Sequence, residues 1–190
     1  MTAPRRVLVA GISGAGKTTL ARKLARRWEL PHCELDALHH GPEWVPRPEF
    51  RADVDRLVAQ DRWVTEDQYH SVLGDLLWEH ADTVIWLDLP RMLIMWRVVR
   101  RSLSRAITRR ELWNGNRERW RDLLQPYHPI RWAWSKAHSR SRQTAERAAR
   151  FPDVAVVHLR TAGQVRRWLA ARTPVEGSSP SANRPGIGEY

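Results

Sequence analysis

Short unbroken apolar runs alternate along this chain with longer stretches in which apolar residues recur every three or four positions, the signatures of buried strands and amphipathic helices. Arg5 to Ala10 (RRVLVA) reads as a strand and Lys17 to Trp28 (KTTLARKLARRW) as a helix. His32 to Leu35 (HCEL) reads as a second strand ending at Asp36, and Pro48 to Gln60 as a helix with proline at its start. Arg62 to Thr65 (RWVT) is a third strand running into Glu66 and Asp67, followed by helix over 71–80. Thr83 to Leu87 (TVIWL) is apolar throughout, as expected of a strand buried on both faces of a parallel sheet, and ends at Asp88-Leu89-Pro90. A helix from Arg91 to about Thr108 is broken at Asn114-Gly115-Asn116, and helical spacing returns over 117–124. A basic helix over 130–150, a fifth strand at Val154 to Leu159 (VAVVHL) and a helix to Arg172 complete the pattern. This alternation predicts one α/β domain over 1–172, a five-stranded parallel sheet flanked by helices. Residues 173–190, rich in Pro, Ser and Gly, are expected to be a disordered tail.

The turn between the first strand and helix carries the chemistry. Gly11, Gly16, Lys17 and Thr18 within AGISGAGKTT satisfy G-x-x-x-x-G-K-[ST], the phosphate-binding P-loop, in its required strand–loop–helix setting. Wrapping a triphosphate in backbone N–H groups needs positions without Cβ, which Gly11, Gly14 and Gly16 supply. The following helix adds its unpaired N–H groups and positive dipole end. Lys17 is expected on the β and γ phosphates and Thr18 on Mg²⁺, with Ser13, Ala15 and Thr19 completing the ATP contacts. The plain alternative is a glycine-rich turn that binds nothing.

Composition narrows the setting. The formal charge is +11, and residues 97–121 hold nine arginines against Glu111 and Glu118, so this segment faces an anion or is a solvated helix face. One cysteine, Cys33, excludes an intrachain disulfide and a cysteine zinc cluster and fits a reducing cytoplasm. The first strand starts within a few residues of Met1 and no apolar run approaches a membrane span, so neither signal peptide nor membrane partner is expected. Among eleven tryptophans, Trp63, Trp78, Trp86 and Trp96 fall in apolar patterns that suggest packing roles.

Over residues 5–172 the arrangement resembles the nucleoside-monophosphate kinase group, adenylate and shikimate kinases among them. It looks closest to the small adenylate kinase-like or DNA topology modulation proteins, through LDAL (35–38), WLDLPR (86–91), WRVVRR (96–101) and LWNGNRERW (112–120). The resemblance implies that Arg97 stacks on adenine, that Arg101 grips phosphate, and that 101–119 forms an arginine-rich LID. Arg109, Arg117 and Arg119 would be candidates to neutralise charge on the transferred phosphoryl group, with Arg101 and Arg117 the chosen catalytic pair. It also implies that Asp36 holds an acceptor hydroxyl and assists its deprotonation; the alternative is a helix cap. Related proteins commonly end the third strand in Asp-Gly; here it ends Glu66-Asp67, and Glu66 is preferred to Asp88 for Mg²⁺. Arg47 and Arg51 are candidates for a nucleotide acceptor, and His39 and His40 read as a polar acceptor-side loop without a carboxylate partner.

The expectation is an ATP- and Mg²⁺-dependent phosphotransferase acting on a small-molecule or nucleotide acceptor. Its rivals are a nucleotide-responsive DNA- or RNA-binding protein, prompted by the charge, and an ATP-binding regulator with little turnover.

Overall fold

The computed structural model describes residues 4–108 and 129–172. Strands β1 (Arg6–Gly11), β2 (Trp63–Glu66), β3 (Thr83–Leu87) and β4 (Ala155–Leu159) form one sheet in the order β2-β1-β3-β4. All three pairings are parallel, with Leu8 opposite Thr65 and Val84, and Trp86 opposite His158. The helices are α1 (Lys17–Trp28), α2 (Leu35–His39), α3 (Phe50–Val58), α4 (His70–Leu73), α5 (Leu76–His80), α6 (Arg91–Thr108), α7 (Pro129–Arg150) and α8 (Ala162–Ala170). None of the described helices is long and apolar enough to cross a membrane.

Because successive strand residues point to opposite faces, the sheet sorts its own side chains into two cores. Val7, Val9, Ile85 and Leu87 pack with Leu20 and Leu24 of α1, Ile94 and Val98 of α6, and Val165 and Leu169 of α8. Leu8, Ala10, Val84 and Trp86 pack on the other face with Phe50 and Val54 of α3, Leu77 and Trp78 of α5, and Ala148 of α7. Helices therefore cover both faces, as an all-parallel sheet requires. A fully buried side chain such as Leu24 or Trp78 contributes about 2–3 kcal/mol of apolar transfer energy.

Among the described residues the sheet has four strands where the sequence pattern predicts five. The second predicted strand, at His32 to Leu35, is reduced to one parallel bridge between His32 and Val64. Two ladder bonds form, Val64 N–H to the Pro31 carbonyl (2.9 Å) and Cys33 N–H to the Val64 carbonyl (3.1 Å). The Cys33 carbonyl is then taken by the Thr65 hydroxyl at 2.8 Å, and the buried Leu35 starts α2. The outer edge thus ends before a ladder can extend.

The single helix expected over 71–80 is two, α4 and α5, parted by Gly74 at φ 60°. Trp63, Trp78 and Trp86 are buried, but Trp96 is 59% exposed with the Arg100 guanidinium 5.0 Å over its ring, a surface cation–π pair rather than a packing residue. The helix expected over 117–124 and the tail 173–190 lie outside the described residues.

Helix α7 is fastened at both ends of its described side chains. Arg147 Nε donates to Asp75 Oδ1 at 2.7 Å, Arg150 pairs with the other oxygen, and the Arg147 hydrogen bond holds Asp75 below the usual carboxylate range. Ser141 Oγ donates to Asp88 Oδ1 at 3.0 Å, and His158 Nε2 lies 3.0 Å from Asp88 Oδ2 with its ring stacked on Trp86 at 3.8 Å.

Candidate active site

β1 delivers the chain to the carboxyl edge of the sheet, where Gly11 turns it at φ 141°. A Cβ at Gly11 would lie 2.7 Å from the Leu87 carbonyl oxygen, so β3 and the loop touch backbone to backbone. Gly14 (φ 87°) lies under α6, where a Cβ would come within 2.3 Å of Val98 Cγ2. Ile12 and Ala15 are buried beside these contacts, Ala15 N–H bonds the Ile12 carbonyl at 3.0 Å, and Arg97 Nη1 donates to the Ala15 carbonyl at 3.2 Å. The loop is pinned from the sheet side and the α6 side.

α1 starts at Gly16 in a left-handed conformation with no side-chain cap and no acidic residue in its first turn. Its leading N–H groups are left for an anion. α8 shows the contrast: Thr161 and Gln164 close a full capping box, so its N-terminus is already satisfied. Lys17 opens α1 and is buried; loss of hydration pushes its ammonium down to about 8, while Asp36, Glu66 and Asp67 pull it back up.

A cavity of about 580 Å³ opens over this turn. Ser13, Gly14, Ala15, Gly16, Lys17, Thr18 and Thr19 line one side, with Asp36 and Gln68 beyond Lys17. Arg97 and Arg100 of α6 and Ala162, Val165, Arg166 and Leu169 of α8 also line it. A smaller cavity of about 330 Å³ shares Leu87 and Leu89 with it and is bordered by Gly11, Asp67, Asp88, Arg91, Arg140 and Thr144. Arg101 lies on α6, and Arg109, Arg117 and Arg119, with most of the predicted LID at 101–119, lie outside the described residues.

The four carboxylates near the loop differ in how much of each is already used. Asp67 takes Trp78 Nε1 on one oxygen (3.3 Å) and His70 Nε2 on the other (3.3 Å). Asp88 likewise has a partner on each oxygen, Ser141 and His158. Glu66, 1% exposed, accepts His32 Nε2 on Oε1 at 3.3 Å, and its Oε2 is buried without a hydrogen-bond partner. A buried carboxylate oxygen left open beside Lys17 fits a Mg²⁺ ion or its bound water, together with the Thr18 hydroxyl. No group of three or more His, Cys, Asp or Glu among the described residues could hold a metal alone, so any such ion would complete its shell on phosphate and water.

Asp36 stands in α2 rather than after a strand, and is not the helix cap; that position is Glu34, with no side-chain capping bond. Its carboxylate reaches the cavity wall, and Tyr69 Oη donates to its Oδ1 at 2.6 Å. His40 Nε2 lies 3.2 Å from the same Tyr69 oxygen, so the histidine pair reaches the Asp36 carboxylate only through Tyr69. Tyr69 is the residue missed by sequence reasoning: it follows the acidic strand end by two positions in DQYH, and no local period marks it. Arg47 and Arg51 are spent locally, on Asp53 (3.1 Å) and Asp55 (3.1 Å).

Sheet order, loop and uncapped helix define the class: an α/β protein of the P-loop fold. No protein-family model and no curated protein matches the chain. Among solved structures it is similar to a gluconokinase from Sinorhizobium meliloti 1021, at 21% identity and TM-score 0.52, over 88% of this chain and 90% of that one. It is also similar to shikimate kinase from Acinetobacter baumannii, solved in complex with shikimate, at 18% identity and TM-score 0.50, over 87% and 89%. At these identities the likeness is one of fold.

Proposed function

We propose that this protein is an ATP-dependent phosphotransferase acting on a small acceptor that carries a hydroxyl group. One observation carries the reading: the Asp36 carboxylate lines the same cavity as Lys17 and Thr18, so an acid stands where an acceptor would meet the terminal phosphate. Both solved kinases that share the fold act, by their names, on small molecules, gluconate and shikimate.

In this reading the P-loop N–H groups and the α1 N-terminus hold the triphosphate, and Lys17 spans its outer phosphates. The base end of ATP rests between Arg97 and Arg100 and the apolar face of α8 formed by Ala162, Val165 and Leu169. Mg²⁺, held through Thr18 and Glu66, would supply charge neutralisation on the phosphates. Asp36 orients the acceptor hydroxyl and takes its proton as the acceptor oxygen bonds to phosphorus and the ADP oxygen leaves. The smaller cavity offers room for the acceptor's body, and Lys17 feels both Asp67 and Arg140 on its border. With Arg47 and Arg51 already paired, a small hydroxy compound suits this side better than a nucleoside monophosphate. Arg101 and Arg117 are proposed to close over the transferred group.

The test is a screen of sugars, hydroxy acids and nucleoside monophosphates with ATP and Mg²⁺, following ADP release above the acceptor-free rate. Asp36→Asn is expected to lower transfer at least tenfold while ATP binding stays within about twofold. No transfer to any acceptor, combined with tight duplex-DNA binding at physiological salt, would replace this reading with the nucleic-acid one.

A further inference from the structure

We propose that Tyr69, backed by His40 and His39, is a positioning residue that fixes the Asp36 carboxylate through a hydrogen-bond chain in which every donor points toward Asp36. This rests on the phosphotransferase reading for its purpose, but its geometry stands apart from it. An ionised carboxylate only accepts. The 2.6 Å contact to Oδ1 is therefore a bond from the Tyr69 hydroxyl, whose single hydrogen is then used. The 3.2 Å approach of His40 Nε2 to the same oxygen makes the imidazole the donor there. With the His40 hydrogen assigned to Nε2 by that contact, its Nδ1 is the accepting nitrogen, and it lies 3.4 Å from His39 Nδ1, which becomes the donor of a long third link.

The surroundings hold this chain in place. The Tyr69 ring is stacked on His39 (4.2 Å between centroids, 19°) and edged by Phe50 (5.0 Å, 67°). His39 meets Phe50 edge-on at 4.9 Å, and Trp44 closes on His40 at 5.2 Å. Burial, with His40 adjacent, keeps His39 below the ordinary histidine range, and burial beside Asp36 keeps the Tyr69 phenol protonated. Tyr69 adopts φ 57°, a left-handed backbone that a residue with a Cβ adopts reluctantly. That conformation sits where the chain leaves β2 and turns the ring back across α2. One oxygen of Asp36 is thereby occupied, which leaves the other for an acceptor hydroxyl and stops the carboxylate from collapsing onto Lys17, whose ammonium it attracts.

The test uses the full chain with MgATP and the acceptor found by the screen. Tyr69→Phe is expected to lower kcat about tenfold with the KM for ATP unchanged, and to cause no further loss in an Asp36→Asn background. His40→Gln, whose amide can still donate to Tyr69, is expected to keep more activity than His40→Leu. A readout free of any acceptor is the long-range ¹H–¹⁵N spectrum of the imidazoles, expected to show His40 protonated on Nε2 and bare at Nδ1. A proton on Nδ1 with Nε2 bare would reverse the chain and overturn the proposal, as would Tyr69→Phe turnover within twofold of the parent. If instead Asp36→Asn keeps full turnover, the acceptor-side role of Asp36 fails, and if no acceptor is phosphorylated, the phosphotransferase reading fails; in either case the imidazole spectrum still decides the chain.

Discussion

Replacing Lys17 by methionine should stabilise the nucleotide-free fold while removing the phosphoryl transfer proposed for it. Burial depresses the Lys17 ammonium from 10.5 to about 8, against the pull of Asp36, Glu66 and Asp67. At about 1.4 kcal/mol per tenfold change, holding that charge in the folded protein costs about 3 kcal/mol. The sign follows from proton counts. Below about pH 8 both states carry the proton and the folded state bears the whole penalty; between about 8 and 10.5 only the unfolded state keeps it, so stability rises with pH. Lys17→Met removes the penalty, so its advantage should be about 3 kcal/mol at pH 7 and fade toward zero near pH 10.5. Urea unfolding of both proteins from pH 7 to 10.5, with equal denaturant slopes, measures the difference directly. Saturating MgATP should reverse the order, since ligand at about a thousand times its Kd adds about 4.1 kcal/mol to the parent and, on the phosphate-gripping role proposed for Lys17, almost nothing to the variant. A variant no more stable than the parent at pH 7, or an advantage that does not change with pH, would refute the account of a buried, strained cation.

Two further substitutions probe the frame around that lysine. Gly14→Ala places a Cβ 2.3 Å from Val98 Cγ2 at φ 87°, so a loss of about 2–4 kcal/mol is expected in thermal unfolding, with Val98→Ala relieving the clash but not the backbone strain. Asp75→Asn should cost about 1–2 kcal/mol at pH 7 by weakening its bonds to Arg147 and Arg150. Because Asp75 is held below its ordinary 3.8, that contribution is present above about pH 4 and lost as pH falls through the lower folded value, so parent and variant should converge in acid denaturation.

Local chemistry was legible in the chain, and long-range choices were not. The P-loop could be read because its glycines answer to backbone sterics within ten residues, and Gly11, Gly14 and Gly16 indeed take positive φ. β3 and α6 run where the pattern predicts, since an unbroken apolar run and a 3.6-residue period are properties of the segment itself. The strand expected at His32 to Leu35 required knowledge that Thr65, on another strand, would take the Cys33 carbonyl. The ranking of Glu66, Asp67 and Asp88 likewise depends on donors that packing supplies: Trp78 and the nearby His70 reach the two oxygens of Asp67, the remote Ser141 and His158 reach those of Asp88, and one oxygen of Glu66 has no hydrogen-bond partner. Tyr69 reaches Asp36 across 33 positions of sequence. A sequence thus determines which backbones can cradle a phosphate and which segments bury themselves. Which carboxylate stays free, and which tyrosine and histidines stand behind it, is decided only when the packed sheet brings remote side chains within hydrogen-bonding distance.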